Sequence, residues 1–264
     1  MKKSIIYPVL MILLTSTTVH AQDNWNNQNP ANNPVAQFGH SMAYIGDDKV
    51  VVFTSNYFTS GSETWVYDLS DNTWTNKSPV AQPSSRGNSA MAYVGDDKVL
   101  LYGGAGDIED PFNTSMNDTW VYDLSDNTWT LKNPASNPGS RWNHAMASFG
   151  GDQVLLFGGL SASNDTWVYD LSADTWTLKN PVTSPPFIGT QGPGLSSIGG
   201  DKVVLFGGDF FSQDTWVYDL SDNNWTLKNP SIKPPARWIG RMASLGGDRV
   251  LLFGGWAPDS GDPY

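Results

Sequence analysis

The sequence predicts an all-β protein built from a series of four-stranded sheets, and three observations carry that expectation. A block of the form DTWVYDLSDNTWTLKNP, residues 118–134, recurs with near-copies beginning at Glu63, Asp165 and Asp214. It sets tryptophan at 65, 120, 167 and 216 and again at 74, 129, 176 and 225, so the spacings are 55, 47 and 49 residues in both series, a period that marks a repeat architecture. Finally, only Glu63 and Glu109 of the 26 acidic residues are glutamates. Aspartate favours turns and glutamate helices, so this bias, with 26 glycines and 17 prolines, points to many tight turns and few helices.

Taken in order, the chain opens on Lys2 and Lys3, an apolar run from Ile5 to Leu14 broken by Tyr7 and Pro8, and Val19-His20-Ala21. That is the pattern of a secretory signal over residues 1–21, with cleavage before Gln22 and a secreted or periplasmic product of 243 residues. No second apolar stretch follows, so no membrane insertion is expected after cleavage. Without Lys2 and Lys3 there are 13 basic against 26 acidic residues, which argues against nucleic acid or anionic lipid as partner. The chain has no cysteine, so disulfides, thiolate metal sites and cysteine chemistry are excluded and a packed core must hold the fold.

Asp23-Asn24-Trp25, with Asn29-Pro30 behind it, reads as a degenerate copy of the end of the repeat, a closing strand at 23–30. Repeats follow at about 37–85, 86–140, 141–189 and 190–236, with a partial one at 237–264. Each full repeat resolves into four strands. The first is small and weakly apolar: Ser41–Tyr44, Ala90–Tyr93, Ala145–Ser148 and Gly194–Ser197, with Met242–Leu245 in the partial repeat. A Gly-Asp or Gly-Gly-Asp turn leads into an unbroken apolar run at Val50–Phe53, Val99–Tyr102, Val154–Phe157, Val203–Phe206 and Val250–Phe253, as suits a strand covered on both faces. The third strand alternates, with Trp120, Tyr122 and Leu124 on one face and Val121 and Asp123 on the other. Ser125-Asp126-Asn127 then turns the chain into a half-polar fourth strand, Thr128–Lys132, which belongs at an edge. Residue size grows and polarity follows from first strand to fourth. That gradient fits sheets set radially about an axis, where the inner strand has least room and the outer one meets water, and so predicts a β-propeller.

Gly103-Gly104, Gly158-Gly159, Gly207-Gly208 and Gly254-Gly255 close the apolar strand, and tyrosine precedes tryptophan by seven residues at Tyr67/Trp74, Tyr122/Trp129, Tyr169/Trp176 and Tyr218/Trp225. This pattern resembles the kelch repeat, and the resemblance implies a kelch-type β-propeller of four complete four-stranded blades plus a partial fifth shared between the two termini. The first repeat departs by carrying Thr54-Ser55 in place of the double glycine. The fifth stops at Asp262-Pro263-Tyr264, where its third strand should begin. Either the Trp25 strand closes a five-bladed ring with one strand missing, or the sequence is a piece of a longer propeller; the second is the expectation, because repeat arrays need complete terminal units.

Nine of twelve tryptophans occupy repeat positions and are expected in the core; Trp142, Trp238 and Trp256 do not. Arg86, Arg141 and Arg237 share one position just before the innermost strand, which Gln37 and Thr190 fill in the first and fourth repeats. In kelch propellers this position lies near a mouth of the central channel, so the resemblance implies a binding site there: Arg86, Arg141, Trp142, Arg237 and Trp238, with His144 and Arg241. Guanidinium groups suit carboxylates or phosphates and indoles suit sugars or cations; the competing reading pairs each arginine with an aspartate. His40 and His144 sit at equivalent places, but two histidines fall short of a metal site, so ordinary hydrogen-bonded histidines are expected and neither metal nor cofactor. The aspartates are mostly turn residues; Asp107-Ile108-Glu109-Asp110 is the one unrepeated acidic cluster.

No nucleophile–base pair or phosphate loop stands out, and fold alone does not give function. The expectation is a monomeric binding module that recognises a protein or glycan through loops at the channel mouth, more readily than an enzyme. The alternative is a carbohydrate-active propeller resembling sialic acid mutarotases, whose substrate carboxylate the arginines would grip.

Overall fold

The computed structural model describes residues 28–35, 39–56, 61–107, 109–159, 164–186, 192–208, 212–237 and 240–255. The signal sequence, Trp25, Gln37, Thr190, Trp238 and everything after Gly255 lie outside these. Residues 28–30, the end of the expected closing strand, are described and form no strand.

Turn chemistry sets the boundaries of the strands. Asp47 and Asp48 both take the left-handed conformation, φ 47° and 58°, which is the two-residue turn whose twist matches the flanking strands of a hairpin. Blade one is β1 (Ser41–Gly46), β2 (Lys49–Asn56), β3 (Gly61–Asp68) and β4 (Thr73–Asn76). Blade two is β5 (Ala90–Tyr93), β6 (Lys98–Tyr102), β7 (Thr119–Asp123) and β8 (Thr128–Lys132). Blade three is β9 (Ala145–Gly150), β10 (Gln153–Phe157), β11 (Thr166–Asp170) and β12 (Thr175–Lys179). Blade four is β13 (Gly194–Ser197), β14 (Lys202–Phe206), β15 (Thr215–Asp219) and β16 (Asn224–Lys228). Blade five contributes β17 (Arg241–Ser244), one residue earlier than expected, and β18 (Val250–Phe253). Each full sheet is antiparallel in chain order, and no helix occurs among the described residues.

The spacing of tyrosine and tryptophan has a mechanical reason. Tyr122 and Trp129 face each other across β7 and β8, and between them the Tyr122 hydroxyl donates to Asn127 Oδ1 at 2.8 Å, pinning the turn residue that has φ 52°. The same clamp joins Tyr67 to Asn72, Tyr169 to Asp174 and Tyr218 to Asn223. Leu124 belongs to this turn rather than to the strand, and its N–H bonds the Asp97 carbonyl of the neighbouring hairpin.

Successive first strands touch, β1 with β5, β5 with β9, β9 with β13 and β13 with β17, so the sheets radiate from an axis lined by first strands. The core lies between blades. Val51, Phe53 and Val66 of blade one meet Met91, Leu101, Tyr122 and Trp129 of blade two. Leu100, Tyr102 and Val121 meet Val154, Leu156, Tyr169 and Trp176 at the next junction, and Leu155, Phe157 and Val168 meet Val203, Leu205, Tyr218 and Trp225 at the third. One bond repeats across all three junctions: the fourth-strand indole donates to the third-strand threonine of the blade before, Trp129 to Thr64, Trp176 to Thr119 and Trp225 to Thr166, at 2.8–3.0 Å.

Two expectations need correcting. Trp74 and the third-strand tryptophans Trp65, Trp120 and Trp167 are half-buried, the last three with their indole N–H groups given to Glu63, Asp118 and Asp165. In blade one, the Thr54-Ser55 departure lengthens a strand beyond the Val50–Phe53 run. With no glycine to end the strand, β2 runs on to Asn56 and pairs with β3 over eight residues.

Candidate functional site

The propeller has two unlike ends. Turns joining first to second and third to fourth strands lie at one; the loops joining second to third strands, and the linkers between blades, lie at the other. At this loop end Gly103 and Gly104 take φ 60° and 102°, and a Cβ on Gly103 would stand 2.6 Å from the Arg141 carbonyl. The double glycine is therefore what lets the loop of blade two run under the linker entering blade three: Gly104 N–H bonds the Arg141 carbonyl and Arg141 N–H the Met116 carbonyl.

That linker carries the arginines. Arg86 is 1% exposed and uses all five of its N–H donors: Nε to the Ser84 carbonyl, one terminal nitrogen to the Gly103 carbonyl and Asp118, the other to Ser84 Oγ and Asp118. Arg141, equally buried, repeats the arrangement with Gly139, Gly158, Pro138 and both oxygens of Asp165. Burial pushes the Asp118 carboxyl up, but the hydrogen bonds and charge of Arg86, helped by Trp120, more than reverse this and hold it below the ordinary carboxylate value. Of the two readings the sequence left open for these arginines, the geometry favours the ion pair, and neither guanidinium keeps a donor for a ligand. Arg237 bonds the Pro235 and Gly254 carbonyls in the same manner and is half-buried, with desolvation lowering its pKa. In the repeat register the position of Asp118 and Asp165 falls at Asp262, which lies outside the described residues.

His144 departs from expectation. It is 3% exposed, set edge-on to Tyr102 at 5.7 Å, and both its ring nitrogens lack a hydrogen-bond partner. Desolvation, reinforced by the Arg141 charge and only weakly opposed by the Tyr102 backbone, which approaches the ring without making a well-formed hydrogen bond, drives its pKa down to about 3, so the imidazole is neutral. Trp142 is half-buried with its indole N–H also unpartnered. His40, the blade-one counterpart of His144, is exposed, yet partial desolvation and the charge of Arg241 lower its pKa. No group of three metal-ligating side chains occurs among the described residues.

A feature with no precedent in the sequence reading is Phe112. The second-to-third loop of blade two forms a small hairpin, held where Ala105 bridges Gly87 and Ser115 and where Thr114 Oγ1 binds Asp107 and Asp110. Its tip carries Phe112, 66% exposed, with its ring edge-on to Trp142 at 6.3 Å. The only signal available in sequence was the loop's length. The structure therefore brings together Arg141, Trp142, His144 and Phe112 between blades two and three; it leaves Arg86 inside its own blade, and Arg237 and Arg241 in blade five.

A polar groove of about 250 Å³ on the rim of blade two, lined by Asn117, Asp118, Leu131, Lys132, Asn133 and Asn137, is built from repeat residues. No helix among the described residues is long and apolar enough to cross a membrane.

No curated protein matches the chain. The family described as KLHDC2/KLHL20/DRC7 Kelch-repeats domain matches residues 39–255, nearly the whole described structure. With the recurrent Gly-Gly, the Tyr–Trp hairpin clamp and four complete radial blades, this match shows that the chain belongs to the kelch-repeat family.

Proposed function

We propose that this kelch domain, a protein-interaction module by family, receives its partner on the loop end between blades two and three, and that it acts outside the cytoplasm as a secreted or periplasmic protein. The observation supporting the position is the concentration of unspent polar groups there: the buried atoms without a partner among the described residues are Trp142 Nε1 and both nitrogens of His144. A buried polar group left unpaired costs about 1–3 kcal/mol, so its persistence calls for another role. The turn end contrasts with this. Its aspartates cap turns, as Asp68 does for Ser70 and Asp71, and meet lysines, as in Asp68–Lys49, Asp123–Lys98 and Asp219–Lys202. Export is supported by the basic, apolar and small-residue pattern of residues 1–21.

Affinity capture from periplasm and culture medium tests the site. Proteins retained by wild type and by the turn-end variant Asp96→Asn/Asp97→Asn are expected to be lost on Phe112→Ala/Trp142→Ala; the opposite dependence overturns the assignment. For export, N-terminal sequencing is expected to read Gln22 first, and an intact Met1 start on cytoplasmic protein counts against it.

A further inference from the structure

We infer that the partner meets the loop end through a basic segment, with a lysine or arginine side chain seated against the exposed edge formed by Phe112 and Trp142. The inference rests on the loop-end reading above and goes beyond it by assigning the chemistry of what binds.

The edge is built in advance. Besides the bridges of Ala105 and the bonds of Thr114, Gly106 N–H bonds the Thr114 carbonyl, so the hairpin is tied from Ala105 to Asp110 before any partner arrives. A site ordered beforehand loses little conformational freedom on binding. Phe112 has no role in the blades' core and stands exposed, while Trp142, against which it leans, is anchored through the linker that Arg141 fixes. An exposed aromatic ring on a fixed loop suits a partner side chain that gains from an aromatic face.

Charge decides which side chain. Some carboxylates of the third strands and their flanks are answered by cations of the same chain: Asp68 by Lys49, Asp118 by Arg86, Asp123 by Lys98, Asp165 by Arg141 and Asp219 by Lys202. Asp107, Glu109 and Asp110 are not so answered, and they lie within five residues of the exposed Phe112. Asp107 accepts the Glu109 N–H and Asp110 holds the Asn113 amide, but among the described residues none of the three forms an ion pair. Three carboxylates beside two aromatic rings repel an acidic partner and attract a cation, which gains from the ring faces as well as from the charge.

The Trp142 indole proton, identified by its loss from the NMR spectrum on Trp142→Phe, is the reporter. The probe is an acetylated, amidated Gly-Arg-Gly-Arg-Gly peptide, with glutamine and glutamate versions as comparators. The arginine peptide is expected to shift this resonance saturably. Its affinity is expected to fall roughly tenfold on Phe112→Ala, and by at least as much on Asp107→Asn/Glu109→Gln/Asp110→Asn. Both variants should keep the wild-type unfolding midpoint, since they touch no blade core. An equal or larger shift with the glutamate peptide, or full affinity in the charge-neutral variant, overturns the basic-partner inference and leaves the loop-end reading standing. Shifts confined to turn-end amides such as those of Asp96 and Asp97 overturn both. No shift with any peptide overturns the basic segment alone.

Discussion

Blades three and five open on the same dipeptide, Arg141-Trp142 and Arg237-Trp238, yet only the first encloses its arginine. Both guanidiniums reach back to the linker and across to the carbonyl of the first glycine of the pair, Gly158 or Gly254. Backbone carbonyls therefore suffice to place the arginine. Arg141 has a further partner in Asp165, the residue before the third strand of its blade, which meets both terminal nitrogens. The difference separates two jobs that the sequence merges: positioning, which a linker and a glycine pair perform, and neutralisation, which a carboxylate before the third strand performs for Arg141.

The largest test of that separation is Arg141→Ala against Arg237→Ala. Leaving Asp165 without its partner should cost about 3–5 kcal/mol of unfolding free energy, whereas the half-exposed Arg237 should cost about 1 kcal/mol or less. Equal losses by denaturant titration would break the comparison. Next comes Gly103→Ala against Gly254→Ala. Both sites have positive φ, but a Cβ at Gly103 meets the Arg141 carbonyl at 2.6 Å while one at Gly254 meets nothing within 4 Å. The expected losses are about 2–4 and about 1 kcal/mol, read from the same titrations.

His144 gives a slope instead of an offset. Its folded pKa is depressed to about 3 from an ordinary 6.5, so between those values the unfolded chain binds a proton that the folded one refuses. Its contribution is complete above pH 6.5 and is lost as pH falls towards 3, at about 1.4 kcal/mol per pH unit. His144→Phe should flatten that part of the stability–pH profile, and an unchanged slope would show that the imidazole is hydrated. The smallest effect belongs to the junction threonines. Thr166→Val strips the acceptor from the Trp225 indole and should cost about 1–2 kcal/mol, while Thr215→Val, where no described tryptophan bonds the hydroxyl, should cost within about 0.5 kcal/mol.

Periodicity made the scaffold legible. The apolar runs that became β2, β6, β10, β14 and β18 could be bounded within a few residues, because period and turn residues agree there. The Tyr–Trp spacing was visible while its cause was not, since the clamp passes through a turn residue, Asn127 or Asp174, whose identity varies. Strand continuation through Thr54-Ser55 was missed because the absence of glycine is a weak local signal, although it removes the feature that ends the other second strands. At the site, Arg86 and Arg141 could be read as ligand-gripping or as paired, and only the positions of Asp118 and Asp165, 32 and 24 residues on, decide. Phe112 was illegible: nothing in its neighbours distinguishes an exposed aromatic from one folded under its loop.

The indole-to-threonine bond that joins each pair of interior blades has a consequence for how such a chain can change length. Each repeat carries a socket, the threonine opening its third strand, and a plug, the tryptophan of its fourth, and the two engage different neighbours. A duplicated unit therefore arrives with both halves of its own junctions and demands no compensating substitution elsewhere. Blade number is then free to drift by recombination between copies, and near-identical blocks such as 118–134 and 165–181 are the raw material for it.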